Sequence, residues 1–232
     1  FHTSPLPSLS IPGPLYSVRV LRPGFCHPNP DGSSRADGSV TLVSGGPLTV
    51  LVDTGGPWLR PLLPALLQSQ GVSPSDVTHV IVTHGHSDHV GNINLFPGAT
   101  TLVGFDLSRG EGLYLPQGLS RGVPLVLHPG HLEVTPTPGH TRAHVSLVAL
   151  GTSLGTVAVA GDVFERRGDD GEWQELSEDP EEQKRSRGRL VALADVIVPG
   201  HGEPFRVVRE WGHGDGHQEE EEEDKDKDKE EE

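Results

Sequence analysis

The chain has 232 residues, which is enough for one sizeable hydrophobic core. Its formal net charge is −15, and residues 215–232 account for much of it with twelve acidic residues against three lysines. The remaining body is mildly acidic, so the composition gives no electrostatic argument for strong nucleic-acid binding. A single cysteine, Cys26, excludes an internal disulfide framework.

Composition also divides the chain into three parts. Residues 1–14 are rich in proline and serine and are expected to be irregular. Residues 15–210 carry the alternating and apolar runs of a single folded domain. Residues 211–232 form an acidic tail that is expected to be disordered, because it has too little apolar surface to bury. No apolar run approaches the length that spans a bilayer and no secretory signal is visible, so we expect no membrane partner.

Short strands dominate the predicted elements. Alternation and flanking turn residues predict strands over 15–21, 39–44, 48–52, 80–82, 100–103, 145–149, 155–160 and 195–198, with a hairpin over 125–136. Helical spacing of leucines predicts one helix over 61–70, and Asp179 as N-cap predicts another that runs to about Ala194. The stretches 22–38 and 104–124 are rich in glycine and proline and are expected to be loops.

One motif stands out at the end of the strand over 80–82. His84, His86, Asp88 and His89 fall within six residues. On extended backbone His84 and His86 project to the same side, whereas Asp88 and His89 follow where the chain must turn. A polar, histidine-rich surface loop is the alternative interpretation, but this spacing after a buried strand favours metal binding. Imidazole and carboxylate without thiolate suit zinc, and also iron or manganese.

Further candidate ligands follow other predicted strands. His140 lies in a tight Pro-Gly-His turn, Asp162 follows a strand that reads as fully buried, and His201 follows the last strand. A buried carboxylate such as Asp162 needs a partner or a metal ion. Asp53 ends the strand over 48–52, and we expect it to accept a hydrogen bond from a ligand histidine and so to orient it.

These residues divide into two predicted sites. His84, His86 and His140 form one, Asp88, His89 and His201 form the other, and Asp162 bridges them. Two divalent ions about 3.5–4 Å apart hold a shared water, lower its pKa toward neutrality and so supply a hydroxide nucleophile. We therefore expect Asp88 and Asp162 to be catalytic as well as ligands. The other histidines are expected at the surface, with His144 a candidate for the cleft.

In order along residues 15–208, the Asp53 turn, the H-x-H-x-D-H loop, the Pro-Gly-His turn, the Gly-Asp strand end and the final Pro-Gly-His-Gly resemble the metallo-β-lactamase superfamily. All seven ligand positions of its two-metal hydrolases are filled. The resemblance implies an α/β fold, an αββα sandwich of two mixed β-sheets flanked by helices, with the metal ions at one edge of the sheets.

Five longer stretches resemble one branch of this superfamily more closely. They are Arg35-Ala-Asp-Gly-Ser-Val-Thr-Leu-Val, Leu51-Val-Asp-Thr-Gly-Gly-Pro-Trp, Val159-Ala-Gly-Asp-Val-Phe-Glu-Arg, Leu176-Ser-Glu-Asp-Pro and Val198-Pro-Gly-His-Gly. The resemblance implies an endoribonuclease that cleaves histone pre-mRNA 3′ ends, with RNA as partner, a homodimeric state and a location in cytosol and nucleus. A thioester hydrolase like glyoxalase II and a non-catalytic metal-binding module remain the alternatives.

Overall fold

The computed structural model describes residues 1–209, so the predicted acidic tail lies outside the described residues. The strands are β1 His2–Pro5, β2 Ser10–Ile11, β3 Ser17–Arg22, β4 Phe25–Pro28, β5 Ser34–Asp37, β6 Val40–Ser44, β7 Val50–Val52, β8 His79–Val82, β9 Thr100–Val103, β10 Asp106–Arg109, β11 Leu113–Tyr114, β12 Leu125–His128, β13 Leu132–Pro136, β14 Val145–Thr152, β15 Gly155–Gly161, β16 Val196–Pro199 and β17 Phe205–Val208. The α-helices are α1 Leu63–Gln68, α2 Ser87–Val90 and α3 Pro180–Leu193.

Two large mixed sheets form the body of the molecule. One has the strand order β1-β17-β16-β15-β14-β13-β12, and the other has the order β11-β10-β9-β8-β7-β6-β3-β2. Most neighbouring pairs are antiparallel, but β15 pairs in parallel with β16, and β8 pairs in parallel with both β7 and β9. The hairpin of β4 and β5 stands apart as a two-stranded ribbon.

A hydrophobic core fills the space between the two sheets. Val18 and Ile81 of one sheet belong to the same buried cluster as Val134, Leu147 and Val159 of the other. Successive strand residues point to opposite faces of a sheet. Neighbours of these core residues along the strands therefore point away from the centre, where they need a second covering layer.

The helices supply that outer covering. Leu63 and Leu67 of α1 pack with Leu51 and Val80 from the outer face of one sheet. On the other sheet, α3 contributes the apolar side chains that cover Ala158 and Ile197. The order helix, sheet, sheet, helix confirms the predicted αββα sandwich.

Local sequence signals explain where α3 begins. The Glu182 backbone N–H donates a hydrogen bond to Asp179 Oδ1 at 3.0 Å, and Pro180 occupies the first helical position. An N-cap carboxylate satisfies a helix donor that has no partner within the helix, and proline at this position loses nothing. The N-cap predicted at Asp179 is confirmed. Among residues 1–209, no helix is long and apolar enough to cross a membrane.

The expectation of an irregular segment over residues 1–14 is wrong. β1 pairs with β17 at the edge of one sheet, and β2 pairs with β3 at the edge of the other. Pro5 suits an edge strand such as β1, because an edge strand can leave a backbone position without a ladder donor. β17, the partner of β1, lies at the other end of the described chain, and the pairing of β2 with β3 is visible only in the fold. Local composition therefore did not reveal either pairing. The folded domain therefore includes this segment.

Two stretches predicted as loops also contain strands. Residues 22–38 hold the β4–β5 hairpin, and residues 104–124 hold β10 and β11, which extend the sheet beyond β9. Glycine and proline mark the turns in both stretches, and their density hides the strands of two to four residues between them. The β4–β5 hairpin bears directly on the site described below.

The covering role of α1 can be tested with a matched pair of leucines. Leu67 is fully buried, whereas Leu62, just before the helix, is 57% exposed. Leu67→Ala should lower the free energy of unfolding by about 2–5 kcal/mol because it leaves a cavity. Leu62→Ala should change it by less than about 0.5 kcal/mol. Urea titration followed by circular dichroism measures both, and equal losses would contradict the assignment of α1 as the covering layer.

Candidate metal centre

Parallel strand pairs bring four of the predicted site residues to one edge of the sandwich. β7 and β8 run side by side and are followed by Asp53 and His84. β15 and β16 do the same in the other sheet and are followed by Asp162 and His201. Parallel strands end at the same edge of a sheet, so the residues that follow them converge.

The short helix α2 positions Asp88 and His89. His86 is its N-cap residue, and the His89 backbone N–H donates to the His86 carbonyl at 3.0 Å. Tight packing against the β5–β6 connection fixes this turn, because a Cβ added at Gly38 would lie 2.7 Å from the His89 ring. Only glycine fits there without displacing the imidazole.

The Asp162 carboxylate lies at the centre of the histidines. Its oxygens are 3.5 Å from His84 Nε2, 3.2 Å from His89 Nε2, 3.3 Å from His140 Nε2 and 3.2 Å from His201 Nε2. Each imidazole thus turns the same nitrogen toward one carboxylate. Side chains from both sheets meet at this single point.

The donor atoms fall into overlapping groups. His84, His86, His140 and Asp162 place one donor atom each within 4.8 Å of one another, and Asp88, His89 and His201 do the same. Two facing atoms, His89 Nε2 and Asp162 Oδ1, have no hydrogen-bond partner although they are buried. Buried polar atoms normally have a partner, and a cation between these donors would supply one. The residues therefore fit the predicted division into two sets around Asp162.

Burial gives the cluster a closed floor and an open mouth. His84 and His89 are fully buried and Asp162 is 3% exposed, whereas His86 is exposed and Asp88 is partly exposed. A buried cluster of polar groups is tolerated only when its members satisfy one another. A substrate would therefore approach the cluster from the side of His86 and Asp88.

Asp53 lies where the sequence predicts it, beside a candidate ligand. Its Oδ2 is 2.8 Å from His89 Nδ1, and its Oδ1 accepts the Thr83 backbone N–H at 2.7 Å. Within residues 1–209, Asp53 is the non-glycine residue with a positive φ, at 57°. Such a backbone costs energy and persists only where surrounding contacts enforce it. Here the strained turn aims the carboxylate at the far nitrogen of His89.

Nearby carboxylates raise the pKa values of His89 and His201. Burial alone would lower the pKa of His201, but the Asp162 carboxylate outweighs burial and raises it to about 9. Burial likewise opposes a charge on His89, yet Asp162 and Asp53 hold its pKa well above the ordinary value. These histidines in turn hold the pKa of Asp162 well below its usual range, although burial acts in the opposite direction. The centre is a strong attractor of positive charge.

The other side of the cluster favours neutral imidazoles. Burial lowers the pKa of His140 to about 4 and places that of His84 well below its ordinary value. A neutral imidazole has a lone pair to offer an ion. Thr83 Oγ1 lies 3.0 Å from His84 Nδ1, which leaves Nε2 facing Asp162.

Glu165 is a site residue that the sequence analysis missed. It is 3% exposed, and its Oε1 lies 3.7 Å from His140 Nδ1. Its Oε2 lies 4.0 Å from His201 Nε2, and it groups with Asp162 and His201 as a third set of possible metal ligands. Burial, together with the nearby Asp162 charge, raises the pKa of Glu165 to about 8. Its position three residues after Asp162, beyond a buried strand, was the available signal.

His144 also differs from its prediction as a surface or cleft residue. It is fully buried, and its ring stacks on His84 with centroids 5.1 Å apart. Its Nδ1 lies 3.0 Å from Thr137 Oγ1, and burial lowers its pKa to about 3. His144 thus packs against the ring of His84 within the protein interior. His144 directly precedes the predicted strand over 145–149, and this position alone could not reveal the packing against His84.

Known proteins identify the class to which this site belongs. A model of the metallo-β-lactamase superfamily matches residues 35–106. The chain is 58% identical over 210 residues to a relative from Xenopus laevis, which covers 90% of this chain and 89% of the relative. The chain therefore belongs to the metallo-β-lactamase superfamily.

The relatives also define the closer resemblance. The Xenopus laevis protein is metallo-β-lactamase domain-containing protein 1, and its Homo sapiens counterpart is 54% identical, covering 87% of this chain and 86% of the relative. A protein of the same name from Mus musculus is 53% identical over 223 residues. The chain closely resembles metallo-β-lactamase domain-containing protein 1 across most of its length.

Solved structures agree on the fold. A metallo-β-lactamase-like protein of Thermotoga maritima matches with a TM-score of 0.61 at 20% identity, covering 83% of this chain and 99% of that one. An N-acyl homoserine lactone hydrolase, with its product bound at the catalytic metal centre, matches with a TM-score of 0.60 at 19% identity, covering 83% and 94%. At these identities the similarity shows the fold alone.

The role of Asp53 can be tested through metal affinity. Asp53→Ala removes the partner of His89 Nδ1 and should weaken zinc binding by about 10–100-fold. Competition with a coloured chelator measures this affinity without any substrate. Asp106→Ala is the matched control, because Asp106 is exposed on β10. Parental affinity in Asp53→Ala would show that the contact does not orient a ligand.

Metal affinity should also depend on pH. Ions and protons compete for the same imidazole nitrogens. Since the pKa of His201 is raised to about 9, affinity should increase as the pH rises from 6.5 toward 9, by about tenfold per unit for each proton displaced. Chelator competition across this range, corrected for the chelator's own protonation, gives the slope. A flat profile would contradict the prediction.

Proposed function

We propose that the chain is a dinuclear metal-dependent endoribonuclease that cleaves single-stranded RNA, with histone pre-mRNA 3′ ends as the substrate class. Membership of a superfamily of metal-dependent hydrolases supports the hydrolytic chemistry. The observation that carries the proposal is the arrangement of donors around Asp162, which matches both predicted ligand sets. The substrate class follows from the branch of the superfamily that the sequence resembles.

The two ligand sets would hold two divalent ions, with zinc favoured by imidazole and carboxylate donors. His84, His86 and His140 would hold one ion, Asp88, His89 and His201 the other, and Asp162 would lie between them. When bound, such an ion pair lowers the pKa of a shared water and polarises a phosphoryl oxygen. Both effects favour phosphodiester hydrolysis.

The chain's own residues would hold this arrangement rigid. Asp53 fixes the ring of His89, and Thr83 fixes the ring of His84, so each presents Nε2 toward the centre. Asp88 lies at the open mouth, and its Oδ2 is 3.6 Å from His201 Nε2. In this position its carboxylate can accept a proton close to an incoming phosphate. A fixed donor geometry favours reaction because it needs no reorganisation when charge develops.

The mouth offers space and positive charge for a phosphate. A recess of about 410 Å³ adjoins the cluster and is lined by His86, Arg142 and Glu178, among others. Arg142 is exposed, and its backbone N–H donates a hydrogen bond to Glu178 Oε2 at 2.9 Å. The guanidinium takes no part in this hydrogen bond. A guanidinium next to the ligands suits the planar oxygens of a phosphodiester. The resemblance also leads us to propose a location in cytosol and nucleus, and the homodimeric state stays a prediction.

A substrate panel tests the proposal. Zinc-loaded protein should cleave single-stranded RNA, and Asp162→Asn should lower the rate by at least about 100-fold because it removes the charge shared by both ligand sets. The substitution keeps the side-chain size, so the fold should remain, which circular dichroism checks. Asp106→Asn, on the exposed face of β10, is the matched control with parental turnover.

The same panel separates the alternatives. It includes single-stranded DNA, a glutathione thioester and a β-lactam beside RNA. Robust thioester turnover with no RNA cleavage would replace the proposal with a thioester hydrolase. Two bound ions without turnover of any substrate would leave a non-catalytic metal-binding module.

A further inference from the structure

A groove beside the metal centre combines aromatic rings with arginines. It has a volume of about 330 Å³ and is lined by Arg22, Phe25, Ser34, Arg35, Ala36 and Trp58. That volume falls within the roughly 300–1,000 Å³ range of ligand pockets. We name it the Trp58 groove. Neither the ligand sets nor the recess at His86 includes any of these residues.

The two aromatic rings of the Trp58 groove differ in exposure, with Trp58 exposed and Phe25 partly buried. The Trp58 side chain is 56% exposed, which is unusual for so large an apolar ring. Phe25 stacks on His27 with centroids 5.2 Å apart and planes at 25°, and Arg22 lies 5.9 Å from the Phe25 centroid. An exposed indole beside a partly buried ring and a guanidinium forms the kind of platform on which nucleobases stack.

Fixed contacts hold this platform in place. A Cβ added at Gly56 would lie 2.2 Å from Trp58 Cζ2, so the indole lies directly against the glycine backbone. The Gly56 N–H donates to Asp37 Oδ1 at 2.8 Å, and Arg22 Nη1 lies 3.4 Å from Asp37 Oδ2. One fully buried carboxylate thus ties both walls of the groove together.

The same ribbon touches the metal centre. His201 Nδ1 lies 3.2 Å from the Phe25 carbonyl oxygen and 3.1 Å from the Asp37 carbonyl oxygen. The neighbouring Gly38 packs on the His89 ring. Phe25 therefore lines the Trp58 groove with its side chain and contacts a candidate ligand through its backbone.

Charge favours one occupant for this groove. Arg35 is exposed on β5, and Arg22 is only partly offset by the buried Asp37. On a chain with a net charge of −15, a pair of arginines beside aromatic rings fits an anionic ligand with flat apolar faces. We propose that the Trp58 groove binds a nucleotide of the single-stranded RNA substrate, with a base stacked on Trp58 and a backbone phosphate at Arg35.

This inference rests on the proposed RNA substrate, so the test measures cleavage and the groove separately. Cleavage of a fluorescein-labelled single-stranded RNA is followed with the full-length, zinc-loaded protein to obtain kcat and KM. Trp58→Ala should raise KM by about 10-fold because it removes a stacking surface, and Trp58→Phe should restore most of the loss. Zinc content and thermal unfolding confirm that both variants keep the metal centre and the fold.

The contribution of Arg35 is measured by the salt dependence of RNA binding. Arg35→Gln should weaken RNA binding for every sequence and lower the slope of log affinity against log salt by about one. Fluorescence anisotropy with the same RNA across a salt series measures this slope. Matched controls remote from the groove are Tyr114→Ala, which removes a ring that is 70% exposed, and Arg121→Gln, which removes an exposed charge. Both controls should keep the parental KM and salt slope.

The outcomes distinguish the two proposals. RNA cleavage by the parent with unchanged KM in Trp58→Ala and an unchanged salt slope in Arg35→Gln would overturn the groove assignment and leave the endoribonuclease proposal standing. Absence of RNA cleavage and binding in the parent would overturn both. Equal losses in Tyr114→Ala would show that any exposed ring contributes, which also overturns the groove assignment.

Discussion

The contact between the Asp162 carboxylate and the imidazoles around it is the constraint on which the rest of the site depends. A carboxylate that is 3% exposed would be costly to bury alone, and four imidazole nitrogens within 3.5 Å make it tolerable. The histidines come from both sheets, so the carboxylate also joins the two halves of the sandwich. Packing enforces the contact, because a Cβ added at Gly200 would lie 1.7 Å from Asp162 Oδ1.

Around this contact, further side chains hold the candidate ligand histidines in their orientations. Asp53 and Thr83 hold the far nitrogens of His89 and His84, and His144 stacks behind His84. The Val145 N–H donates to the Thr83 carbonyl at 2.9 Å, which links the two sheets next to the cluster. Such outer contacts set the orientation of a ligand ring and therefore its affinity for an ion. The cluster is consequently rigid at its floor and open only at its mouth.

The β4–β5 ribbon connects the candidate metal centre with the protein surface. Asp37 offers its carbonyl to His201 and its carboxylate to Gly56 and Arg22, so one residue connects a candidate ligand with the Trp58 groove. A change in the groove can therefore reach the cluster through the backbone. The whole-chain charge gives no sign of this, since two arginines in one place are lost in a net charge of −15.

The sequence by itself predicted the αββα class through its family resemblance, and it singled out eight candidate site residues because each lies in a short motif after a predicted strand. The H-x-H-x-D-H loop and the Asp162 strand end are local patterns, and each follows a strand that has a parallel neighbour in its own sheet. Only the tertiary structure decided which strands β1 and β2 join, that His144 is buried, and that Glu165 faces His140. It also decided that Trp58 and Arg35 line one groove. These features depend on contacts between residues far apart in the chain, and local composition carries no information about such contacts.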